Sequence, residues 1–233
     1  MAKVLARGLA VLVGVALALP AQAVTIQYVI EGVVSGGTWA STGLPGYGVF
    51  QPGTASSLHF EIDSATAETP LGALDPGVGS YPIGEPGAFG VGELWLDPFF
   101  PLTLLGAGML GAGTPVLSIG NASLDSFGVF ADVVLPACDP PGPTCPEVPL
   151  LHSLTVFFGQ TGGGWFDSDA IPTELSLPPE ARFVPRAWEV RSSSNELLIS
   201  FSVTSLHTVP EAGTLPLVAL ASLLVARASV RGR

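Results

Sequence analysis

The stretch Leu197-Leu198-Ile199-Ser200-Phe201-Ser202-Val203-Thr204 decides the fold. Leu197, Ile199, Phe201 and Val203 alternate with Leu198, Ser200, Ser202 and Thr204, a period of two that sets an apolar face against a largely hydroxylated one. Such a strand rests one side on a core and turns the other to water. Just upstream, Arg191-Ser192-Ser193-Ser194-Asn195-Glu196 has the composition of a turn, so residues 187–190 are expected to form the other arm of a hairpin.

Working outward, the same period recurs. In residues 25–34, Ile26, Tyr28 and Ile30 alternate with Thr25, Gln27, Val29 and Glu31. Further strands are expected at 57–62, 89–96, 115–119, 127–134 and 150–158. Gly/Pro/Ser/Asp clusters separate them, at 36–53, 69–87, 106–113, 136–149 and 159–164. No body segment shows a sustained helical stripe; residues 102–110 have room for a short helix, against which their glycines argue. There is no internal repeat. The expected fold is all-β, an antiparallel β-sandwich with long Gly/Pro loops.

The two ends read differently. Lys3 and Arg7 precede an apolar run at 9–19 and Ala21-Gln22-Ala23, the order of a secretory signal helix cut after Ala23 to leave Val24 first. At the other end, Val209, Pro210, Glu211, Gly213 and Thr214 lead into an apolar run at 215–226, then Arg227, Arg231 and Arg233. An apolar helix followed by arginines is held in a bilayer with the charges left on the cytoplasmic side. The expected organisation is therefore a signal peptide at 1–23, a β-sandwich domain at 24–208, and a tail with a transmembrane helix at 209–233.

Pro210-Glu211, Gly213-Thr214-Leu215, the apolar helix and the arginine-bearing end resemble the PEP-CTERM sorting domain of Gram-negative bacteria. Ala212 stands where that family usually has a second proline, and Pro216 falls in the first turn of the helix, where its missing N–H costs little. The resemblance implies recognition and cleavage near Pro210 and Glu211 by an exosortase, an integral-membrane transpeptidase. It also implies an inner-membrane precursor and a mature protein at the cell surface or in exopolysaccharide. Residues 58–63, LHFEID, and 165–173, WFDSDAIPT, are similar to segments of uncharacterised β-rich members and imply a fold neighbourhood without an activity.

Charge narrows the partners. Of eight Lys and Arg, five lie in the two targeting segments; Arg182, Arg186 and Arg191 face eighteen acids between Val24 and Thr208, a net charge of −15. A domain so acidic is repelled by nucleic acid and anionic membrane surfaces. Cys138 and Cys145 enclose a short Pro/Gly loop, and as the only two cysteines of an exported chain they read as a structural disulfide. A metal site there would need further His or Cys nearby, and a redox pair would want C-x-x-C.

The common local catalytic motifs are absent: there is no G-x-S-x-G, H-E-x-x-H, P-loop or dinucleotide-binding glycine pattern. His59, His152 and His207 are scattered, with no pair at metal-ligand spacing. Asp167 and Asp169, in a glycine-rich loop, are the candidate ligands for a hard cation such as Ca²⁺; the competing reading is a solvated turn. Trp95 and Trp165 are candidate sugar platforms if their rings are exposed, and core residues if not. No resident cofactor and no enzymatic activity are expected. The leading expectation is a structural or adhesive matrix protein associated with exopolysaccharide, its rivals a surface-displayed carbohydrate-active hydrolase and a Ca²⁺- or ligand-binding envelope protein.

Overall fold

A computed structural model of the chain describes residues 24–44, 50–69, 77–84, 89–96, 101–105, 115–121, 123–135, 150–178 and 183–210. The expected leader with its Ala21 and Ala23, the Cys138–Cys145 pair and the tail from Glu211 to Arg233 lie outside the described residues. Within them the fold is all-β. The strands are β1 (Thr25–Gly36), β2 (Ala55–Asp63), β3 (Val78–Pro82), β4 (Phe89–Leu96), β5 (Pro101–Leu105), β6 (Val116–Gly120), β7 (Leu124–Leu135), β8 (Leu150–Thr161), β9 (Phe183–Arg191) and β10 (Leu197–Pro210), with a single short helix, α1 (Thr38–Thr42).

The expected sandwich of two separate sheets is corrected by the pairing. All strand pairs are antiparallel, and β7-β5-β4-β2-β1-β10-β9-β8 returns to β7, a closed ring of eight strands. β7 makes the closure. One of its edges pairs with β8 along its whole length, while the other pairs first with β6 at 126–130 and then with β5 at 133–134. β6 carries β3 outward as an extension of the ring. Bulges supply the curvature: the β1–β10 ladder shifts register at Glu31/Gly32 and Val34/Gly36, β8–β9 at Phe157/Phe158, and β4–β5 at Phe89/Gly92. Each bulge bends its strand and raises the local twist, which lets a long sheet close on itself and remove its edges.

Eight strands enclose an interior that side chains alone can fill. Tyr28, Phe60, Phe127, Phe158, Leu58 and Leu94 are fully buried there. Tyr28 stacks on Phe60 with ring centroids 5.1 Å apart, and Phe127 lies 5.7 Å from Tyr28. Gly32 is needed at the β1 bulge, since a Cβ there would stand 2.4 Å from the Ser202 carbonyl oxygen and 2.5 Å from the Trp188 ring.

The two ends of the barrel are closed by chain. At one, Trp39 of α1 is buried beside Leu44 and Phe50. At the other, residues 164–178 cross over the core: the Tyr28 hydroxyl donates to the Pro172 carbonyl at 2.5 Å, and Leu175 N–H donates to Thr208 Oγ1 at 3.3 Å. Both β1 and β10 reach this second end, where Ile26 pairs with Pro210. β10 thus runs two residues beyond the expected domain boundary at 208. No helix among the described residues is long and apolar enough to cross a membrane.

Two strands were not expected. β3 lies in the Gly/Pro-rich stretch at 69–87, and β5 occupies the start of 102–110, where a short helix had room. In β5, Leu102 and Leu104 both point into the core with no exposure. Five residues are too few to display a period, and pairing with β4 decides the conformation over local preference.

Candidate functional site

Strand alternation builds a groove on the outside of the barrel. Along β2, Leu58, Phe60 and Ile62 enter the core, so Ser57, His59 and Glu61 point outward. On β1, Tyr28 and Ile30 face in, leaving Gln27 and Glu31 outside. On β4, buried Leu94 and Leu96 leave Glu93 and Trp95 outside. The faces of β10, β1, β2 and β4 are neighbours and border an open groove of about 870 Å³.

Register arranges these side chains in rows. Glu31 lies opposite Ser57 and Ser57 opposite Trp95; one step along, Val29 lies opposite His59 and His59 opposite Glu93; beyond that, Gln27 faces Glu61. Directly opposite side chains have Cβ atoms about 4.5–5.5 Å apart. Trp95, Ser57 and Glu31 therefore form one row across three strands, next to a row containing Glu93 and His59. Trp95, His59 and Glu93 are partly exposed and Glu31 is exposed. His59 Nε2 and Ser57 Oγ share a 2.9 Å hydrogen bond, and Glu31 accepts one from the Ser205 hydroxyl. Ser56 belongs to the inward set of β2 and keeps a buried Oγ with no hydrogen-bond partner among the described residues. Two smaller hollows continue the groove along β1 and β2 to Thr25 and Asp63. The whole offers one indole face flanked by carboxylate, imidazole, amide and hydroxyl groups, the mixture that holds a sugar ring by stacking and hydrogen bonding.

The second tryptophan has a different setting. Three consecutive glycines, Gly162, Gly163 and Gly164, take φ values of 94°, 70° and 88° and turn the chain from β8 onto the barrel end. Such a run of left-handed residues is open only to glycine without strain. Trp165 then packs against the core, with its ring stacked on Phe166 at 4.5 Å and its Nε1–H donated to the Ser176 carbonyl at 3.1 Å. Its backbone N–H donates to Asp125 Oδ2 at 2.6 Å. Asp125 and its cross-strand neighbour Gln160 are both buried; Gln160 Nε2 donates to the Gly163 carbonyl at 3.1 Å. The two candidate sugar platforms thus part: Trp95 lines a groove, and Trp165 pins a loop.

Asp167 and Asp169 follow on that loop, Asp167 exposed and Asp169 partly buried. The Asp169 carbonyl accepts the Tyr81 hydroxyl at 2.9 Å. Burial, with the charges of Glu68 and Asp169 nearby, raises the Tyr81 pKa. Among the described residues no group of three or more His, Cys, Asp or Glu is gathered to hold a metal ion.

The histidines separate as well. His59 lies in the groove, and His207 on β10 faces Val29 and bridges to Ser176. His152 sits opposite Val133 on β8, edge-on to Trp39 at 5.4 Å, with neither ring nitrogen hydrogen-bonded; burial lowers its pKa. Of the residues expected to form a sorting motif, Val209 and Pro210 fall at the end of β10, paired with Gln27 and Ile26, and Val209 is exposed; Glu211, Gly213 and Thr214 lie outside the described residues.

Sequence reasoning missed Glu31, Glu93, Gln27 and Ser57 as a group. Period two placed Gln27 and Glu31 on one face of β1, while Ser57 and Glu93 lay in strands expected without a facing; what is lacking besides is strand order, which brings β4 beside β2 and β10 beside β1. Asp125 carried no signal at all, since its partners are backbone groups forty residues away. No protein family, curated protein or solved structure matches the chain.

Proposed function

We propose that the chain is an exported surface or matrix protein whose barrel binds a glycan and performs no chemistry on it. The observation that carries this reading is the Trp95 groove: an indole face on the outside of a rigid sheet, in line with Ser57 and Glu31 and beside His59 and Glu93. A site on strands holds its groups in fixed positions, which favours binding an extended saccharide without loop rearrangement. The signal-like start, the PEP-CTERM-like tail and the acidic body supply the address, with an exosortase as processing partner and exopolysaccharide as the setting.

The competing reading is a surface hydrolase, and one observation favours it. Glu31 and Glu93 face the same groove from β1 and β4, two strands and two residues apart, which on ordinary sheet spacings is about 12 Å between Cα atoms. Leaning side chains would bring such a pair toward the ~6.5–9.5 Å of inverting glycosidases.

The test is calorimetric titration of the full chain with neutral, basic and acidic oligosaccharides, repeated on Trp95→Ala, with product analysis after long incubation. Saturable binding lost in Trp95→Ala, without release of shorter sugars, supports the binding module. Steady cleavage abolished by Glu93→Gln supports the hydrolase. Absence of binding to every class removes the groove reading.

A further inference from the structure

We propose that the groove selects an amine-bearing, positively charged glycan over neutral or uronic ones; this rests on the glycan-binding reading above. Glu31, Glu61 and Glu93 face outward from three adjacent strands, and Asp63 lies where the groove runs out. Neither the groove nor its two continuations is lined by any Lys or Arg. The ion pair among the described residues, Arg191 with Glu189 at 2.7 Å, belongs to β9 and touches none of these carboxylates. Among the described residues the groove is therefore a strip of negative potential without a protein counter-charge.

A free metal ion is a poor match for that strip. The carboxylates are spread across the rows of the sheet and do not converge, and no three-ligand cluster forms among the described residues. Their separation suits a ligand that is itself extended and carries charge at intervals. A saccharide with free amino groups meets both demands: its ammonium groups pair with Glu31, Glu61 and Glu93, and its ring face stacks on Trp95, where the indole quadrupole also attracts a cation. A uronic acid polymer would add like charge to like. An N-acetylated sugar stacks equally well but brings no cation to the acids. The partly exposed His59, fixed by Ser57 at 2.9 Å, stands beside Glu93 as a hydrogen-bonding group for ring hydroxyls.

The experiment compares the full chain's affinity for a glucosamine tetramer, an N-acetylglucosamine tetramer of the same linkage and a guluronate tetramer, at a pH where the amines are charged. The expected result is about tenfold or tighter preference for glucosamine over its acetylated twin, and no guluronate binding. Glu93→Gln and Glu61→Gln each reduce glucosamine affinity several-fold with an unchanged melting midpoint. Glu174→Gln, at an exposed acid outside the groove, leaves it as it was. Equal affinity for both tetramers overturns the charge selection while leaving glycan binding in place. Equal losses in Glu174→Gln and Glu93→Gln overturn it too, since attraction is then a property of the whole acidic surface. Failure to bind any sugar ends both readings.

Discussion

The Asp125 carboxylate fastens Trp165 across one end of the barrel: its Oδ2 accepts the Trp165 backbone N–H at 2.6 Å and the Phe166 N–H at 3.3 Å. The contact joins β7 to a loop forty residues on, and Asp125 has no exposed surface. It turns the three-glycine bend from a free excursion into a lid over the core.

Asp125→Ala leaves two backbone donors without their acceptor inside the protein. Hydrogen bonds to a charged group are worth about 1.5–3 kcal/mol, and an orphaned buried donor costs about as much. The expected loss is about 3 kcal/mol, read as a lower denaturant midpoint with an unchanged slope. Asp125→Asn keeps an acceptor oxygen and should lose about half as much. A midpoint equal to wild type in both would mean that the loop is held by Trp165 and Phe166 packing alone.

Tyr28→Phe probes the same lid from within the core. The ring and its stack on Phe60 remain, but the hydroxyl bonded to the Pro172 carbonyl is gone. The expected cost is about 1 kcal/mol, with faster proteolysis between Gly162 and Pro172. Desolvation pushes the Tyr28 pKa well above the ordinary tyrosine range, so its phenol stays protonated and donating throughout the neutral range.

How much of this was legible in the sequence depends on which contacts are local. The alternation of Leu197 to Thr204 and of Ile26, Tyr28 and Ile30 is a property of one strand, and Ile199, Phe201, Ile26, Tyr28 and Ile30 do face the core, although Leu198 and Val29 of the opposite set are buried too and the ladder shifts between Leu197 and Ile199. The ring is a property of β7, whose one edge is divided between β6 and β5; nothing local in Leu124–Leu135 announces a strand with three partners. The groove follows the same logic, because Trp95 meets Ser57 and Glu31 only through register. Trp165 was ambiguous in sequence because a glycine run exposes as readily as it folds back; buried Asp125 draws the loop back, and Trp165 ends partly buried against the core.

Gly32→Ala tests the bulge that curves β1. The added methyl meets a backbone carbonyl and the buried Trp188 ring, neither of which yields easily. Overpacking of this kind typically costs about 1–3 kcal/mol. The expected outcome is a lower melting temperature and altered Trp188 fluorescence; a stability within about 0.5 kcal/mol of wild type would show that the β1–β10 ladder can shift to absorb a side chain.

His152 makes stability pH-dependent on the acid side. Burial disfavours its charged form, so its pKa in the folded protein lies below the ordinary value of 6.5. Between these two values the unfolded chain holds a proton that the native chain does not. Its contribution is therefore complete above pH ~6.5 and falls as pH falls below it, by at most ~1.4 kcal/mol per pH unit and by less at a half-buried ring. Asp132 acts in the opposite sense: burial raises its pKa above 3.8, so its effect diminishes stability as pH rises through the acid range. Melting curves from pH 7 to 5 should show a decline that His152→Phe, which retains an edge contact with Trp39, flattens. An undiminished decline in that variant would assign the titration elsewhere.

On the proposed sorting route, the end of β10 sets a structural condition for processing. Val209 and Pro210 are still paired with Gln27 and Ile26 in the sheet, and a peptide-cleaving active site takes its substrate as an extended, unpaired strand. Engagement at Pro210 and Glu211 then requires the β1–β10 ladder to fray from this end, an opening whose cost depends on how well Ile26 is packed. Ile26 is 4% exposed, so Ile26→Ala weakens that corner by about 2–5 kcal/mol, a cavity penalty of the usual size. In a host with the sorting enzyme, the variant should be processed faster than wild type even though it melts earlier. Pro210→Ala combined with Glu211→Ala should retain the arginine-bearing tail in the inner membrane. Intact mass of the surface and membrane fractions reads both. Unchanged processing in Ile26→Ala would mean that the enzyme engages the chain wholly beyond Pro210, and release of the double variant at the wild-type rate would remove the sorting motif itself.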